Sequence, residues 1–405
     1  MKWSDAHISH GGRACGSWGM LLLVVLVLCA FPQRLLSQDT INRDEPDFVK
    51  VSFLLAEPGG ALYSRYGHAC LRMQCPTFDM DFLFTYESED ASSRVLRFLA
   101  GKLKMGLFGI PTQDYVNSYA EENRGLKEYP MDMPIEAKRN LWRVLDSYTS
   151  DGINLPYNYI TRGCAYSTLR FIREGLDTIP IEFGPWPEKY ETMTRREIAE
   201  LQMEDSPWCW AFLNLICNGV IDRKCANVDK VIMPYDLLEV LQGAKVQGRP
   251  LLTGECITLL PDGPGLHAPW FTPLMASLLL LALTLAAAFM RWRWMDYVLL
   301  AIQTLLGVAT IYLVCFSTLC CTEWSWLIVP FNPLPLLLWR WRRHWALPMS
   351  IVLAVWCVVV ALWPHHLTDP CYVVVTLSLI TNYVANYMEM KQINSKINKN
   401  QRETK

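Results

Sequence analysis

Several absences narrow the sequence first. It carries no excess of charge of either sign: the formal net charge is −2 at pH 7. No basic field is therefore available to hold nucleic acid. Histidine is scarce, seven in all, and between the N-terminal segment and the apolar C-terminal part only His68 and His267 occur. There is no CxxC pair and no His/Cys cluster at ligand spacing, so the usual zinc sites are excluded. No metal and no cofactor is expected. Long apolar runs are missing from about residue 38 to Gly265, as in a globular domain, and roughly 230 residues suffice for one substantial core. From Trp270 to about Met388 the opposite holds, and charge almost disappears.

The N-terminus reads as a secretory signal. Lys2 and Arg13 supply positive charge, Gly19 to Phe31 is an apolar stretch short for a membrane span, and Leu35-Leu36-Ser37 precedes a plausible cleavage point at Gln38. An uncleaved anchor is the alternative. The C-terminal part suggests five spans, near Phe271–Met290, Met295–Ser317, Trp324–Trp339, Trp345–Trp363 and Cys371–Met388. Arg291 and Arg293 follow the first span. Arg340, Arg342 and Arg343 follow the third, and Lys391, Lys396, Lys399, Arg402 and Lys405 the fifth. The other two gaps hold only Glu323 and Asp369 as charged residues. Basic gaps alternating with acidic ones place the domain before span one outside and the C-terminus inside. The expected boundaries are a signal at 1–37, an exported domain at 38–258, a linker at 259–270, a five-helix bundle at 271–390 and a basic cytoplasmic tail at 391–405. Cys320, Cys321, Glu323, His365, His366 and Asp369 fall in the outward gaps, where a solvated loop is the simpler reading than a catalytic mouth.

Seven of the fourteen cysteines fall in the exported domain: Cys70, Cys75, Cys164, Cys209, Cys217, Cys225 and Cys256. An oxidising compartment favours pairing, and an odd number leaves one thiol over, either a buried spectator or a nucleophile. Val49–Leu55 and the run from His68 read as strands, Phe82–Tyr86 as the next one, and Asp79 and Asp81 lie at its start. Pro134–Ser147 has helical spacing. In Thr161–Ile172, Ala165, Leu169 and Ile172 also recur at helical spacing, which puts Cys164 in a first helical turn. There the partial positive charge of the helix end lowers a thiol pKa, and a nearby imidazole lowers it further and serves as base. His68 is the candidate. Spacing alone leaves a core or disulfide role for both residues open.

Four segments carry a family resemblance: Leu54–Met73 (LLAEPGGALYSRYGHACLRM), Asp81–Tyr86 (DFLFTY), Phe98–Leu103 (FLAGKL) and Tyr157–Leu169 (YNYITRGCAYSTL). They resemble the Lnb-type N-terminal periplasmic domain. The apolar part, with Phe331-Asn332-Pro333-Leu334-Pro335-Leu336, resembles the five-helix domain that follows it. The resemblance implies an α+β, circularly permuted papain-like periplasmic domain, related to NlpC-type enzymes, followed by an all-α bundle of five helices in the bacterial inner membrane. It implies N-acylation of lipoproteins, with a phospholipid as acyl donor and a diacylated lipoprotein as acceptor. In this permutation a histidine strand precedes the nucleophile helix, as His68 precedes Cys164. Many members have Asp-Asn before the cysteine; Arg162-Gly163 stands here, which leaves oxyanion stabilisation to backbone N–H groups at Cys164 and Ala165.

The expected catalytic set is Cys164 as nucleophile, His68 as base and Asp81 as the group orienting His68, with Asp79 in reserve; both aspartates also suit a hairpin turn. Tyr66, Lys102, Lys104, Phe108 and Tyr166 are the expected substrate contacts. Phe98–Ile110 suits a stretch lying on the bilayer with its lysines near phosphates, or else a core helix. Cys217–Cys225 is the suggested disulfide, with Cys209–Cys256 and Cys70–Cys75 as further pairings. An NlpC-like cysteine peptidase or amidase acting on cell-wall peptide, or a non-catalytic membrane scaffold, are the competing readings. A soluble wall hydrolase has no need of five spans.

Overall fold

A computed structural model describes residues 49–403, apart from 62–63, 89–93, 151–154, 157, 159–161, 226–232, 320–321, 323 and 363–367. The signal segment 1–37 and the loop residues Cys320, Cys321, Glu323, His365 and His366 lie outside the described residues.

Runs of alternating apolar residues build one antiparallel sheet. Its strands are β1 (Lys50–Ala56), β2 (His68–Cys75), β3 (Met80–Ser88), β4 (Lys104–Pro111), β5 (Leu126–Met131), β6 (Leu155–Pro156) and β7 (Ile257–Leu260). Their spatial order is β7-β5-β1-β2-β3-β4-β6. The strands run partly past the expected boundaries: Leu259 and Leu260, read from sequence as linker, are the last residues of β7. The principal helices are α1 (Val95–Leu99), α2 (Thr112–Glu121), α3 (Ile135–Ser150), α4 (Cys164–Leu176), α5 (Pro207–Ile216), α6 (Pro234–Gln242), α7 (Pro273–Met290), α8 (Trp294–Phe316), α9 (Arg342–Leu362) and α10 (Pro370–Glu403).

Side chains of a strand alternate between faces, and both faces of this sheet are covered. On one face Leu54, Ala56, Cys70, Leu83 and Leu126 pack with Tyr115 and Tyr119 of α2. On the other, Phe84 meets Trp142 of α3 and Tyr86 meets Phe171 of α4, with ring centroids 6.1 and 6.5 Å apart. Helices α3 and α4 approach closely because Gly175 presents no Cβ; one built there would stand 2.7 Å from Leu141 Cβ. Phe98–Ile110 is not a core helix, one of its two expected forms. Its first residues end the short α1, and from Lys104 it is strand β4, hydrogen-bonded to β3.

Among the described residues four helices, α7 to α10, are long and apolar enough to cross a membrane. The expected third span, Trp324–Trp339, is not a continuous helix. It is a 3-10 turn at Trp326–Ile328, a short helix at Leu334–Leu337 and another 3-10 turn at Trp339–Trp341. Pro330, Pro333 and Pro335 explain the break, since each lacks an N–H and clashes with a preceding turn. The broken segment runs antiparallel along α8: Gln303 bonds to Pro330 O, and the rings of Tyr297 and Trp339 meet at a tilt with centroids 5.2 Å apart. Irregular backbone at this depth needs internal partners. Gln303 Nε2 donates to Pro330 O at 2.8 Å, Trp356 Nε1 donates to Trp326 O at 2.9 Å, and Asn332 Nδ2 donates to Val329 O at 2.8 Å. Gly307 lets the segment lie against α8, for a Cβ there would stand 2.6 Å from Asn332 Cα. The basic tail is not separate from the last span; α10 continues unbroken to Glu403.

The domain and the bundle meet in an apolar seam. Phe98 and Leu103 join Trp210, Leu213 and Ile216 of α5, Leu313 near the end of α8 and Leu319 just beyond it. Hydrogen bonds reinforce it: Ser317 Oγ donates to Leu99 O at 2.5 Å, and Thr318 N donates to Ala100 O at 3.2 Å.

Candidate functional site

Gly67 begins the site. Its φ of +73° turns the chain into β2, and a Cβ there would stand 2.7 Å from Ala56 O. A side chain at that φ is strained, so glycine suits the turn. His68 then opens β2. In the β2–β3 register Leu71 faces Phe84 and Cys75 faces Met80. The same register carried back puts His68 opposite Glu87.

The ring of His68 is held by that neighbour strand. Nε2 lies 2.7 Å from Thr85 Oγ1 and 3.7 Å from Glu87 Oε1. Thr85 in turn donates to Glu87 Oε1 at 2.8 Å. Tyr115 OH donates to the same carboxylate oxygen at 3.2 Å and pairs with Tyr119 OH at 2.9 Å. With Nε2 engaged by Thr85, Nδ1 is left for the thiol, and His68 makes a side-chain hydrogen bond with Cys164.

Cys164 is the first residue of α4, behind Gly163 as N-cap, which has no side chain to cap the helix end. The first-turn N–H groups therefore stay available. Backbone N–H groups of Ala69 and Ala165 donate to the sulfur. The helix is fixed to the histidine strand by Thr168 Oγ1, which donates to Ala69 O at 3.2 Å.

The electrostatics follow from these neighbours. Burial by itself would raise the Cys164 thiol; the facing His68, its hydrogen bond and the two N–H groups outweigh it and hold the thiol below its ordinary range. Burial by itself would lower His68; the Cys164 thiolate, the shared hydrogen bond and Glu87 outweigh it and, against Arg124, raise the imidazole above its ordinary value. The pair thus favours thiolate and imidazolium. Cys70, two residues beyond His68, goes the other way. Burial first, then the negative charges of Glu87 and Cys164, push its thiol well up.

Asp81 is not brought to His68. It sits opposite Gln74 at the far end of the hairpin, about 20 Å along the strand at ~3.3 Å per residue. Arg72 holds it through Nε at 2.8 Å and Nη2 at 2.5 Å, and Thr112 Oγ1 donates to it at 2.6 Å. Burial would raise this carboxyl, but Arg72 and Thr112 bring it below its ordinary value. Asp79 is a turn residue with φ of +51°. Thr85 and Glu87 occupy the place expected for Asp81. The hairpin register, set by the turn at Pro76–Asp79, was the signal that would have found them.

Of the expected substrate contacts, Tyr66 and Tyr166 stand two residues from His68 and Cys164 in sequence. Tyr66 is half-buried and packs against the seam. Lys102 and Lys104 are exposed, and Phe108 is exposed on β4. None of the three suggested disulfides is formed. Cys70, Cys75, Cys209, Cys225 and Cys256 are free thiols. Cys70 and Cys75 lie five residues apart on one extended strand, beyond the ~7 Å that a bridge spans between Cα atoms.

Residues 38–198, which hold both His68 and Cys164, match the family model described as the Lnb N-terminal periplasmic domain. This part of the chain is an Lnb domain. No curated protein matches the chain, and no solved structure does. Together with the four apolar helices, the Lnb domain makes this a multi-pass membrane protein whose N-terminal domain is periplasmic. The Lnb match ends before α5, so the seam helix and the bundle lie beyond it.

Proposed function

We propose that the protein is a lipoprotein N-acyltransferase of the inner membrane that works through an acyl-thioester on Cys164. One observation carries this reading: Tyr66, two residues ahead of His68 in the chain, packs on the apolar seam shared with the membrane helices, so the turn that leads into the His68–Cys164 pair starts at that seam. A thiolate so placed meets ester carbonyls at the edge of the outer leaflet.

The chemistry follows from the residues. Cys164 Sγ attacks the ester carbonyl carbon of a phospholipid, and N–H groups at the start of α4 steady the oxyanion. The C–O bond to glycerol breaks, and the His68 imidazolium gives its proton to the leaving oxygen, releasing a lysophospholipid. The α-amine of a diacylglyceryl-cysteine lipoprotein then attacks the thioester, His68 accepts the amine proton, and the C–S bond breaks to restore the thiolate. Thr85 and Glu87 orient His68, while Tyr66, Tyr166, Lys102, Lys104 and Phe108 are the contacts proposed for the lipids. A histidine strand ahead of a nucleophile helix supports a permuted papain-like fold. Basic residues after α7, before α9 and along the end of α10 support a cytoplasmic C-terminus.

The test is direct. Full-length protein incubated with phospholipid vesicles should gain the mass of one acyl chain on the peptide bearing Cys164, removable by hydroxylamine. Cys164→Ala should show no adduct and no N-acylation of lipoproteins in cells. Retained N-acylation by Cys164→Ala would end the thioester reading.

A further inference from the structure

Helix α5 (PWCWAFLNLI) is apolar nearly throughout, yet the domain core takes only part of it. Trp210, Leu213 and Ile216 face the seam. Ala211 and Leu215 face the bundle core instead, where Tyr372 OH donates to Ala211 O at 2.7 Å. A third side is left over. Trp208 is 47% and Phe212 36% exposed.

That third side is continuous with the lipid-facing surface of a spanning helix. Trp208 Nε1 donates to Phe271 O at 2.8 Å, and the two rings lie 6.1 Å apart. Two residues later α7 begins, and its Leu274 and Leu278 are also exposed. Water beside one surface and lipid beside the other would require a boundary that the packing does not provide. Trp at such a position, apolar ring in and N–H satisfied, is what the membrane–water boundary selects.

We infer that α5 lies in the plane of the outer leaflet, and that its Trp208–Phe212 side holds the glycerophospholipid whose chain is passed to Cys164. The second half of this statement rests on the acyl-transfer reading; the first does not. The opposite side of the same helix forms the seam on which Tyr66 packs.

The experiment places a photoreactive benzophenone side chain at position 212 of the full-length protein, in vesicles of phosphatidylethanolamine and phosphatidylglycerol. Position 278 on α7 is the positive control. Position 78, at the exposed far end of the hairpin, is the negative one. Phospholipid-mass adducts are expected at 212 and 278 and absent at 78, in both the native and the Cys164→Ala background. Adducts at 278 without adducts at 212 overturn the placement, even where the Cys164 thioester still forms. Adducts at 212 without a thioester leave α5 in the leaflet and remove the acyl-transfer reading instead. A companion pair tests the donor role. Phe212→Asp should raise the KM for vesicle phospholipid about tenfold with kcat little changed, while Phe212→Leu stays near native, as loss of ground-state binding requires. An unchanged KM for Phe212→Asp overturns the donor role.

Discussion

At the scale of single residues, the site is governed by which groups share charge with the thiol. Cys164 is held below its ordinary pKa, so thiolate is lost only as pH falls through that lowered value. His68 is held above its ordinary pKa, so the imidazolium survives until pH rises through the raised value. The pair's contribution to stability follows the same signs: it fades at low pH through Cys164 and at high pH through His68. Glu87 is one of the charges that raises His68. Replacing it, Glu87→Gln, should move the alkaline limb of the pH–rate profile to lower pH and leave the acid limb set by Cys164 in place. A profile that does not move would remove Glu87 from the site. Asp81→Asn should do the reverse. It should leave the profile alone and lower stability by about 1 kcal/mol, since the Arg72 contact is charge-assisted but partly solvent-exposed; thermal unfolding against the pH profile checks it. The pair Cys164–His68 was legible because a cysteine at a helix start and a histidine at a strand start each carry a local signal. Glu87 was not, because its role depends on strand register. That register is a relation between two segments, and neither announces it alone.

Elements show the same division between local and relational information. Helices α3, α4 and α7 to α10 could be read from periodicity or unbroken apolar length. Strand β4 was misread because its alternation is partial: Met105, Leu107 and Phe108 are apolar, but the strand is exposed at both ends. The broken segment after α8 looked like a span because its composition is apolar. Its three prolines argued otherwise, and what keeps it folded comes from other helices. Gln303 is the key: it donates to Pro330 O and accepts from Tyr383 OH at 2.6 Å, fully buried. Gln303→Leu leaves a carbonyl and a hydroxyl without partners. A loss of roughly 1–3 kcal/mol in bundle stability is expected, read by denaturant titration in detergent micelles. A change within error would mean that water or lipid satisfies those groups instead.

For the whole molecule, the seam decides whether domain and bundle behave as one body. Gly101 sits at its centre with φ of +68°, and a Cβ there would stand 2.2 Å from Leu319 N. Gly101→Ala therefore meets both backbone strain and backbone collision. Calorimetry of the native protein should show domain and bundle unfolding together, and Gly101→Ala should split the transition in two. A single unshifted transition in the variant would show that the seam adds little to cohesion. One carboxylate adds a further consequence. Glu57 Oε2, just after β1, accepts from Gly125 N at 3.2 Å and from Gly263 N at 2.9 Å, so the first strand is tied to the chain just beyond the last one. All partners of the sheet thus exist once residue 263 has been made, while residues 264–405 are still to come. At roughly 5–20 residues per second, the ribosome needs on the order of ten seconds more to finish the bundle. Until residue 319 has been made the sheet can close, but Leu313 and Leu319 are not both present, so the apolar side of α5 waits uncovered. Order of synthesis places closure of the seam after closure of the sheet and before the last two helices pack, and leaves α5 in need of a chaperone or a lipid while it waits.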